Sequence, residues 1–327
     1  IPFPVLAKIE ANFAKPVAEG SVTAAPSRDW CAKGIATGLA PDKWYFFRFI
    51  APNGVTSPIG RTRTLPAGKT ANFKLAVFSC SNFGFGWFNA YGHAVEANDA
   101  DLAVHLGDYI YEYGAGTYRD KGQANAERVL APETEIVALT DYRLRYATYR
   151  ADPDCQRLHQ VLPMISVWDD HESANDSWKD GAQNHQSAAE GEWAVRKAAA
   201  KQAYREWMPV SDEAYAAYQV GDLATLFRLD TRLEGRDQQL DLGKVLEGLK
   251  DPQAIMTALA TFKDGAWSDP KRQLLGAAQE QWLADGLAAS TKNRTAWQVL
   301  VQQVLIGNLK SPKALASQLG DGLPEFV

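Results

Sequence analysis

Met164-Ile165-Ser166-Val167 runs directly into Trp168-Asp169-Asp170-His171-Glu172, so a short apolar stretch breaks into four consecutive ionisable side chains. A run this short and β-prone predicts a buried strand, with Val167 and Trp168 tying the following turn to the core. Four ionisable neighbours in such a place repel one another unless a cation or water relieves them. Carboxylates favour hard ions such as Ca2+ or Mg2+, and a histidine serves as ligand or proton donor. A solvated surface turn is the plain alternative.

The same pattern occurs twice upstream. The apolar run 102–106 ends in Gly107-Asp108-Tyr109-Ile110-Tyr111, and the run 73–78 ends in Ser79-Cys80-Ser81-Asn82. Ligands of open α/β sheets collect at the carboxyl ends of strands. Three such ends carrying oxygen, sulfur and nitrogen donors predict a metal-centred site. Asp108 offers two oxygens that can bridge two cations. Tyr111, three residues on, can reach the same ion, and its phenolate suits Fe(III). Ordinary alternatives stand beside these readings: Asp108 as a helix cap, Tyr111 as a core aromatic, Cys80 as a small core residue. Cys80 as a nucleophile with His171 as its base is another, but it leaves the aspartates and Tyr111 unexplained.

Weaker candidates are quickly placed. His105 reads as a hydrogen-bonded core histidine, and His93, His159 and His185 as surface or structural groups. Arg232 follows a fourth strand (226–229) in Asp230-Thr231-Arg232. It is placed to meet a substrate anion or to pair with Asp230, the commoner use of such neighbours. Ser21, Ser79 and Ser81 lack a nucleophile-elbow context. Gly84-Phe85-Gly86 is not followed by the third glycine or the lysine of a phosphate loop.

Composition bounds the rest. The 327 residues carry a net charge of −5, with 46% hydrophobic and 22% charged side chains, the balance of an ordinary globular protein. Nothing here draws the chain to nucleic acid or an anionic membrane, and no apolar stretch approaches the roughly 18 residues of a membrane span. An anionic substrate therefore needs local positive charge, which bound metal ions can supply. Three cysteines do not make a disulfide framework.

Residues 1–68 differ in texture from the remainder. Gly20-Ser21-Val22-Thr23-Ala24 and Trp44-Tyr45-Phe46-Phe47-Arg48-Phe49-Ile50 predict strands separated by turns at Pro26 and Pro41, and no helical period is present. This stretch predicts a small antiparallel β-sandwich, short of its first strands, ending in the linker Thr64-Leu65-Pro66-Ala67-Gly68. From Asn72 the pattern becomes strand, loop, helix: helices over 89–98, 140–149, 191–208 and 276–287, and a last strand over 297–304. Alternation of this kind predicts a sheet covered by helices, an α/β domain over 69–327.

Phe78-Ser-Cys80-Ser-Asn82, His105-Leu-Gly-Asp108-Tyr-Ile-Tyr111-Glu-Tyr113 and Val167-Trp-Asp-Asp170-His171-Glu172 together resemble the alkaline phosphatase D family of PhoD-like phosphatases and phosphodiesterases. Asp141-Tyr-Arg-Leu-Arg-Tyr146, Trp178-Lys-Asp-Gly-Ala-Gln183, Leu229-Asp-Thr-Arg232 and Leu275-Gly-Ala-Ala-Gln-Glu280 extend the likeness from about Gly20 to Val304. The resemblance implies an αββα metallophosphoesterase sandwich preceded by a fibronectin-like antiparallel β-sandwich. It also implies export to the periplasm or beyond, and hydrolysis of phosphate monoesters and diesters at alkaline pH by a metal-activated hydroxide. Its cofactors would be Fe(III) and Ca2+. Cys80 and Tyr111 would bind iron, Asp108 would bridge the ions, and Asp170 with Asp169 would hold calcium. His171 would contact the substrate or leaving group, with Asn82 and Arg232 on the substrate side. The family also carries a late Gly-Asp-x-His segment, whereas Leu319-Gly-Asp-Gly-Leu-Pro324 has no histidine and His185 is the last one. Either the remaining ligands lie beyond Val327, the expectation adopted, or the site is incomplete and the chain is a binding or structural protein on the same scaffold.

Overall fold

The computed structural model describes residues 2–8, 13, 15–118 and 125–305; the segment 319–324 lies outside them. The elements run β1 (Pro2–Lys8), β2 (Ala18–Thr23), β3 (Trp44–Phe49), β4 (Gly60–Arg63), β5 (Leu75–Phe78), α1 (Asn89–Ala97), β6 (Leu102–His105), α2 (Leu139–Arg150), α3 (Pro153–Val161), β7 (Met164–Ser166), α4 (Ser187–Glu190), α5 (Trp193–Trp207), β8 (Ala216–Val220), β9 (Ala224–Arg228), α6 (Leu242–Leu246), α7 (Pro252–Phe262), α8 (Ala277–Lys292) and β10 (Trp297–Val301). Among the described residues, no helix is long and apolar enough to cross a membrane.

The first four strands form one antiparallel sheet in the order β2-β1-β3-β4. The expected two-sheet sandwich is thus a single sheet among the described residues, because β1 inserts between β2 and β3 and all four strands join edge to edge. Prolines such as Pro2 and Pro4 disfavour a central strand. They are accommodated because the stretch that carries them faces only β2, and pairing with β3 is confined to Val5 through Lys8. Arg61 and Arg63 anchor this sheet to the α/β portion of the chain: Arg61 Nε donates to the carbonyl of Val161 at 2.9 Å, and Arg63 pairs with Asp101.

That portion contains two three-stranded sheets. β5, β6 and β7 are parallel, in that order; β10 runs parallel to β9, and β8 antiparallel to β9. Leu102, Val104, Ile165 and Val167 pack against Val220, Ala224, Leu226 and Val301 in one buried cluster, so the two sheets stack face to face. The alternate residues Ala103 and Met164 point the other way, into an aromatic core with Tyr91, Tyr142, Tyr146, Tyr149, Leu158, Trp193 and Tyr204 from α1, α2, α3 and α5. On the far side, Phe227 of β9 meets Trp282 of α8, with ring centroids 5.9 Å apart. The order is helix, sheet, sheet, helix. Strands covered on both faces read as continuous apolar runs, which is why β6 and β7 showed so plainly; β5, at the edge of its sheet, leaves Val77 56% exposed.

Leu226 is 1% exposed between the sheets, whereas Trp297 on β10 is 65% exposed. Leu226→Ala should cost about 2–5 kcal/mol and Trp297→Ala less than about 0.5 kcal/mol in urea unfolding. Equal costs would contradict the stacked-sheet core.

Candidate metal centre

The loops after β5, β6 and β7 are bonded into one surface. The backbone N–H of Cys80 donates to the Gly107 carbonyl at 3.1 Å, and that of Ser81 to the Asp108 carbonyl at 2.9 Å. Glu172 joins the other two loops. Its Oε2 accepts from the N–H groups of Asp108 (3.1 Å) and Asp169 (2.7 Å), and its Oε1 from that of Tyr109 (2.5 Å). Gly107 lets the loops approach: its φ is +99°, and a Cβ there would lie 2.4 Å from the Asp169 nitrogen. Cys80 and Asp108 also adopt left-handed φ, +58° and +53°, so two candidate ligands sit on strained backbone of the kind found at functional sites.

Asp108, Asp170 and His171 are buried and bring one candidate ligand atom each within 4.8 Å of the others. Asp108 Oδ2 lies 3.4 Å from Cys80 Sγ and accepts from the Tyr111 hydroxyl at 3.3 Å. Asp108 Oδ1 is buried without a hydrogen-bond partner. The structure therefore brings Cys80, Asp108, Tyr111, Asp170 and His171 together. Asp169 sits beside them, engaged by Arg232 Nε at 2.6 Å. Asn82 does something local: its side-chain oxygen accepts from the Gly84 N–H at 3.0 Å and caps the turn Phe83–Phe85.

Arg232 corrects one expectation. Its guanidinium does not pair with Asp230 but with Asp169 (2.6 Å) and Asp170 (3.5 Å). Asp230 instead uses Oδ1 to accept the backbone N–H groups of Arg232 and Leu233, both at 2.8 Å. Its own backbone is clamped by Gln279 of α8, which donates to the Asp230 carbonyl and accepts from its N–H, again at 2.8 Å. Asp230 and Gln279 thereby aim Arg232 at the cluster, and Arg232 Nη1 is buried without a partner.

The electrostatics arise from burial under unequal neighbours. Burial pushes Asp108 above the usual carboxylate range, and Asp170 adds to the shift while His171 opposes it. Asp169 is pushed up to about 7 by burial against the pull of Arg232. Burial opposes the charge on Asp170 too, but Arg232, His171 and the Asp176 N–H outweigh it and hold this carboxyl low. Burial works against the His171 imidazolium, yet the Glu112 hydrogen bond and the surrounding carboxylates push it up to about 9. Burial and Asp108 raise the Cys80 thiol, which disfavours a free thiolate nucleophile, and its sulfur meets Asp108 rather than His171.

Three supporting residues escaped the sequence reading. Glu112 accepts His171 Nδ1 at 2.7 Å from a fully buried position; its signal was an acid enclosed by Tyr111 and Tyr113. Arg145, also fully buried, donates to the carbonyls of Tyr111, Tyr113 (2.9 Å), Pro132 (2.9 Å) and Thr134 (3.1 Å). Gln279 gave no signal beyond its place in a family-like stretch. His105 is the core histidine expected, 2.8 Å from the Tyr91 hydroxyl. His185 is a structural group as expected, its side chain only 3% exposed and 3.1 Å from Glu190.

Stacked sheets between helices, with an acidic, arginine-braced cluster at the carboxyl edge of the parallel sheet, define an α/β protein whose site can hold metal. Comparison with known proteins names the family. The family profile described as PhoD-like phosphatase matches residues 75–323, and that of the PhoD-like phosphatase N-terminal domain matches residues 5–66; the chain belongs to the PhoD-like phosphatase family. It is 35% identical to alkaline phosphatase D of Bacillus subtilis (strain 168), over 90% of this chain and 48% of that protein. The solved structure of PhoD superposes with a TM-score of 0.78 at 33% identity, over 94% of this chain and 56% of that one. The chain thus spans about half the length of these relatives.

Backbone strain at the centre can be measured directly. Cys80→Gly removes left-handed strain at an exposed position and should raise the unfolding free energy of the metal-free protein by about 0.5–1 kcal/mol. Gly107→Ala, by contrast, should cost at least about 2 kcal/mol; denaturant titration of both variants decides the pair.

His105 is held neutral, because burial lowers it to about 3. The unfolded chain takes up this proton below about pH 6.5 and the folded one only near 3, so the contribution is intact above 6.5 and drains away on acidification. It amounts to about 2 kcal/mol by pH 5. His105→Gln should lose correspondingly less stability between pH 7 and pH 5; identical pH slopes would refute this.

Proposed function

We propose that this chain is the catalytic part of an exported, metal-dependent phosphohydrolase acting on phosphate monoesters, diesters or both. One observation carries the reading: Asp108, buried beside Asp170 and His171, keeps an oxygen with no protein partner. An unpaired buried carboxylate oxygen is costly in a protein alone and natural in a cation site. The donor set fits that use. A thiol and a phenol beside carboxylates suit Fe(III), and carboxylates alone suit Ca2+. Cys80, Asp108 and Tyr111 would hold iron, with Asp108 shared and Asp170, aided by Asp169, on the calcium side.

When bound, such cations polarise the phosphoryl group and lower the pKa of water. The remaining work falls to side chains. Arg232 directs its unpartnered Nη1 at phosphate oxygens while Asp169 fixes the guanidinium plane. His171 faces the leaving oxygen through Nε2, its Nδ1 being taken by Glu112. Asn82 supports the substrate side by shaping the turn at Phe83–Phe85. No group in this arrangement requires a covalent protein intermediate. The division into an N-terminal β unit (1–68) and a catalytic unit (69–327) belongs to the same proposal, supported by the change from one antiparallel sheet to two stacked sheets near residue 68.

The full-length protein should contain about one iron with one or two calcium ions per chain by elemental mass spectrometry and hydrolyse bis(p-nitrophenyl) phosphate. Asp108→Asn should lower kcat by at least ~100-fold. A metal-replete protein without turnover sinks the proposal. So does inactivation by thiol alkylation combined with indifference to chelators, which would favour a Cys80 nucleophile.

A further inference from the structure

Glu112 is a carboxylate in an unusual position. It is 0% exposed, and among the described residues no lysine or arginine donates to it. One oxygen accepts the Asn175 N–H at 2.6 Å and Asn184 Nδ2 at 3.0 Å; the other accepts His171 Nδ1 at 2.7 Å. The two donors on Oε1 would be equally well served by the carbonyl of a glutamine. Only the histidine side requires a second acceptor, so the cost of burying a charge here has one structural explanation.

The ring it holds has little other freedom. Tyr111 stacks on His171 with centroids 4.2 Å apart and planes at 29°, and Tyr118 meets it edge-on at 5.6 Å. Stacking limits tilting, and the Glu112 bond opposes a ring flip. Asn184 is itself held between Glu112 and Glu135 (both 3.0 Å), and Arg196 secures Glu135 at 2.8 Å and the Asn184 carbonyl at 2.9 Å. The acceptor is therefore as rigid as the ring. We propose that Glu112 is the positioning residue of the site: it keeps the proton of His171 on Nδ1 and so presents Nε2 to the leaving oxygen of the substrate. This rests on the phosphoesterase reading of the same cluster.

A glutamine at 112 is nearly isosteric but inverts the arrangement. To satisfy Asn175 and Asn184 its carbonyl must face them, and its NH2 then points at Nδ1, forcing that nitrogen to accept. The test is a double-mutant cycle on the full-length, metal-loaded protein: wild type, Glu112→Gln, His171→Asn and the double variant. Each is assayed for kcat and KM on bis(p-nitrophenyl) phosphate, for iron and calcium per chain, and for thermal unfolding. Glu112→Gln should lose about 10–100-fold in kcat with KM and metal content little changed, and should cost nothing further once His171 is asparagine. Losses that multiply in the double variant overturn the inference, because Glu112 would then act on something other than the imidazole. Loss of iron from Glu112→Gln overturns it equally. If that variant fails to fold, Asn184→Ala, which removes one of the two donors to Oε1 and leaves the Asn175 N–H and the carboxylate in place, enters the same cycle with a smaller loss that must also vanish on His171→Asn. A wild type that hydrolyses no phosphate ester overturns the reading of the whole site; multiplying losses in an active enzyme overturn the role of Glu112 alone.

Discussion

One buried carboxylate holds the site in one piece. Glu172 gathers the N–H groups of Asp108, Tyr109 and Asp169 and so bonds the loop after β6 to the loop after β7. Burial and the charge of Asp108 push this carboxyl well upward, and the N–H donors pull against them. Each such bond contributes about 0.5–1.5 kcal/mol, and the three together work against the cost of burial. The loops must come close for this to happen, which is why Gly107 cannot carry a side chain. The Cys80 and Ser81 N–H groups then tie the third loop to the same frame. Candidate ligands from three strands are thereby fixed relative to one another before any ion arrives.

Such a frame concentrates more negative charge than the protein neutralises. Asp108, Asp169, Asp170 and Glu172 lie on these loops, with Glu112 behind His171, and Arg232, His171 and the charge of Arg236 oppose them. The directions of their titration register the imbalance: Asp169 and Asp108 are forced up, and Asp170 alone stays low because Arg232 and His171 both face it. A carboxylate cluster of this sort is unfavourable by itself and becomes favourable around a multivalent cation. Arg232 braces Asp169 and Asp170 but leaves Asp108 Oδ1 bare, so the remaining deficit is local.

The parts of this arrangement visible in the sequence are those that depend on strand periodicity. β6 and β7 are buried on both faces and β5 partly so; the apolar runs of all three stop where their donors begin, and Cys80, Asp108, Asp170 and His171 could be found by looking at those breaks. Helices α2, α5 and α8 were legible for a similar reason. What stayed hidden depends on contacts between residues distant in the chain. Arg232 was read against its sequence neighbour Asp230, but the turn that Asp230 itself builds points the guanidinium toward residues 63 positions away. Glu112 looked like one more polar residue in a family-like stretch because its partners His171, Asn175 and Asn184 all lie between 59 and 72 positions away in the chain. β1 was missed because its prolines are forbidden only where both edges are paired, and pairing register is not written in local composition.

Other buried arginines are kept away from the acidic cluster. Arg128 pairs with Asp152 at 2.7 Å, and Arg196 with Glu135 and Glu190 at 2.8 and 2.7 Å, all outside the cluster. Arg145 lies against the Tyr111 loop, yet gives its donors to carbonyls, among them those of Tyr111 and Tyr113. It thus stiffens the Tyr111 loop without neutralising a carboxylate. Guanidinium groups could have filled the acidic pocket and produced a more stable, inert core. Apart from Arg232, these guanidinium groups are paired with acids outside the cluster or donate to backbone carbonyls, and the strained residues Cys80 and Asp108 remain beside the unpartnered Asp108 Oδ1. Stability is drawn from the frame and withheld from the centre, which is the arrangement a site needs if an ion, rather than a side chain, is to complete it.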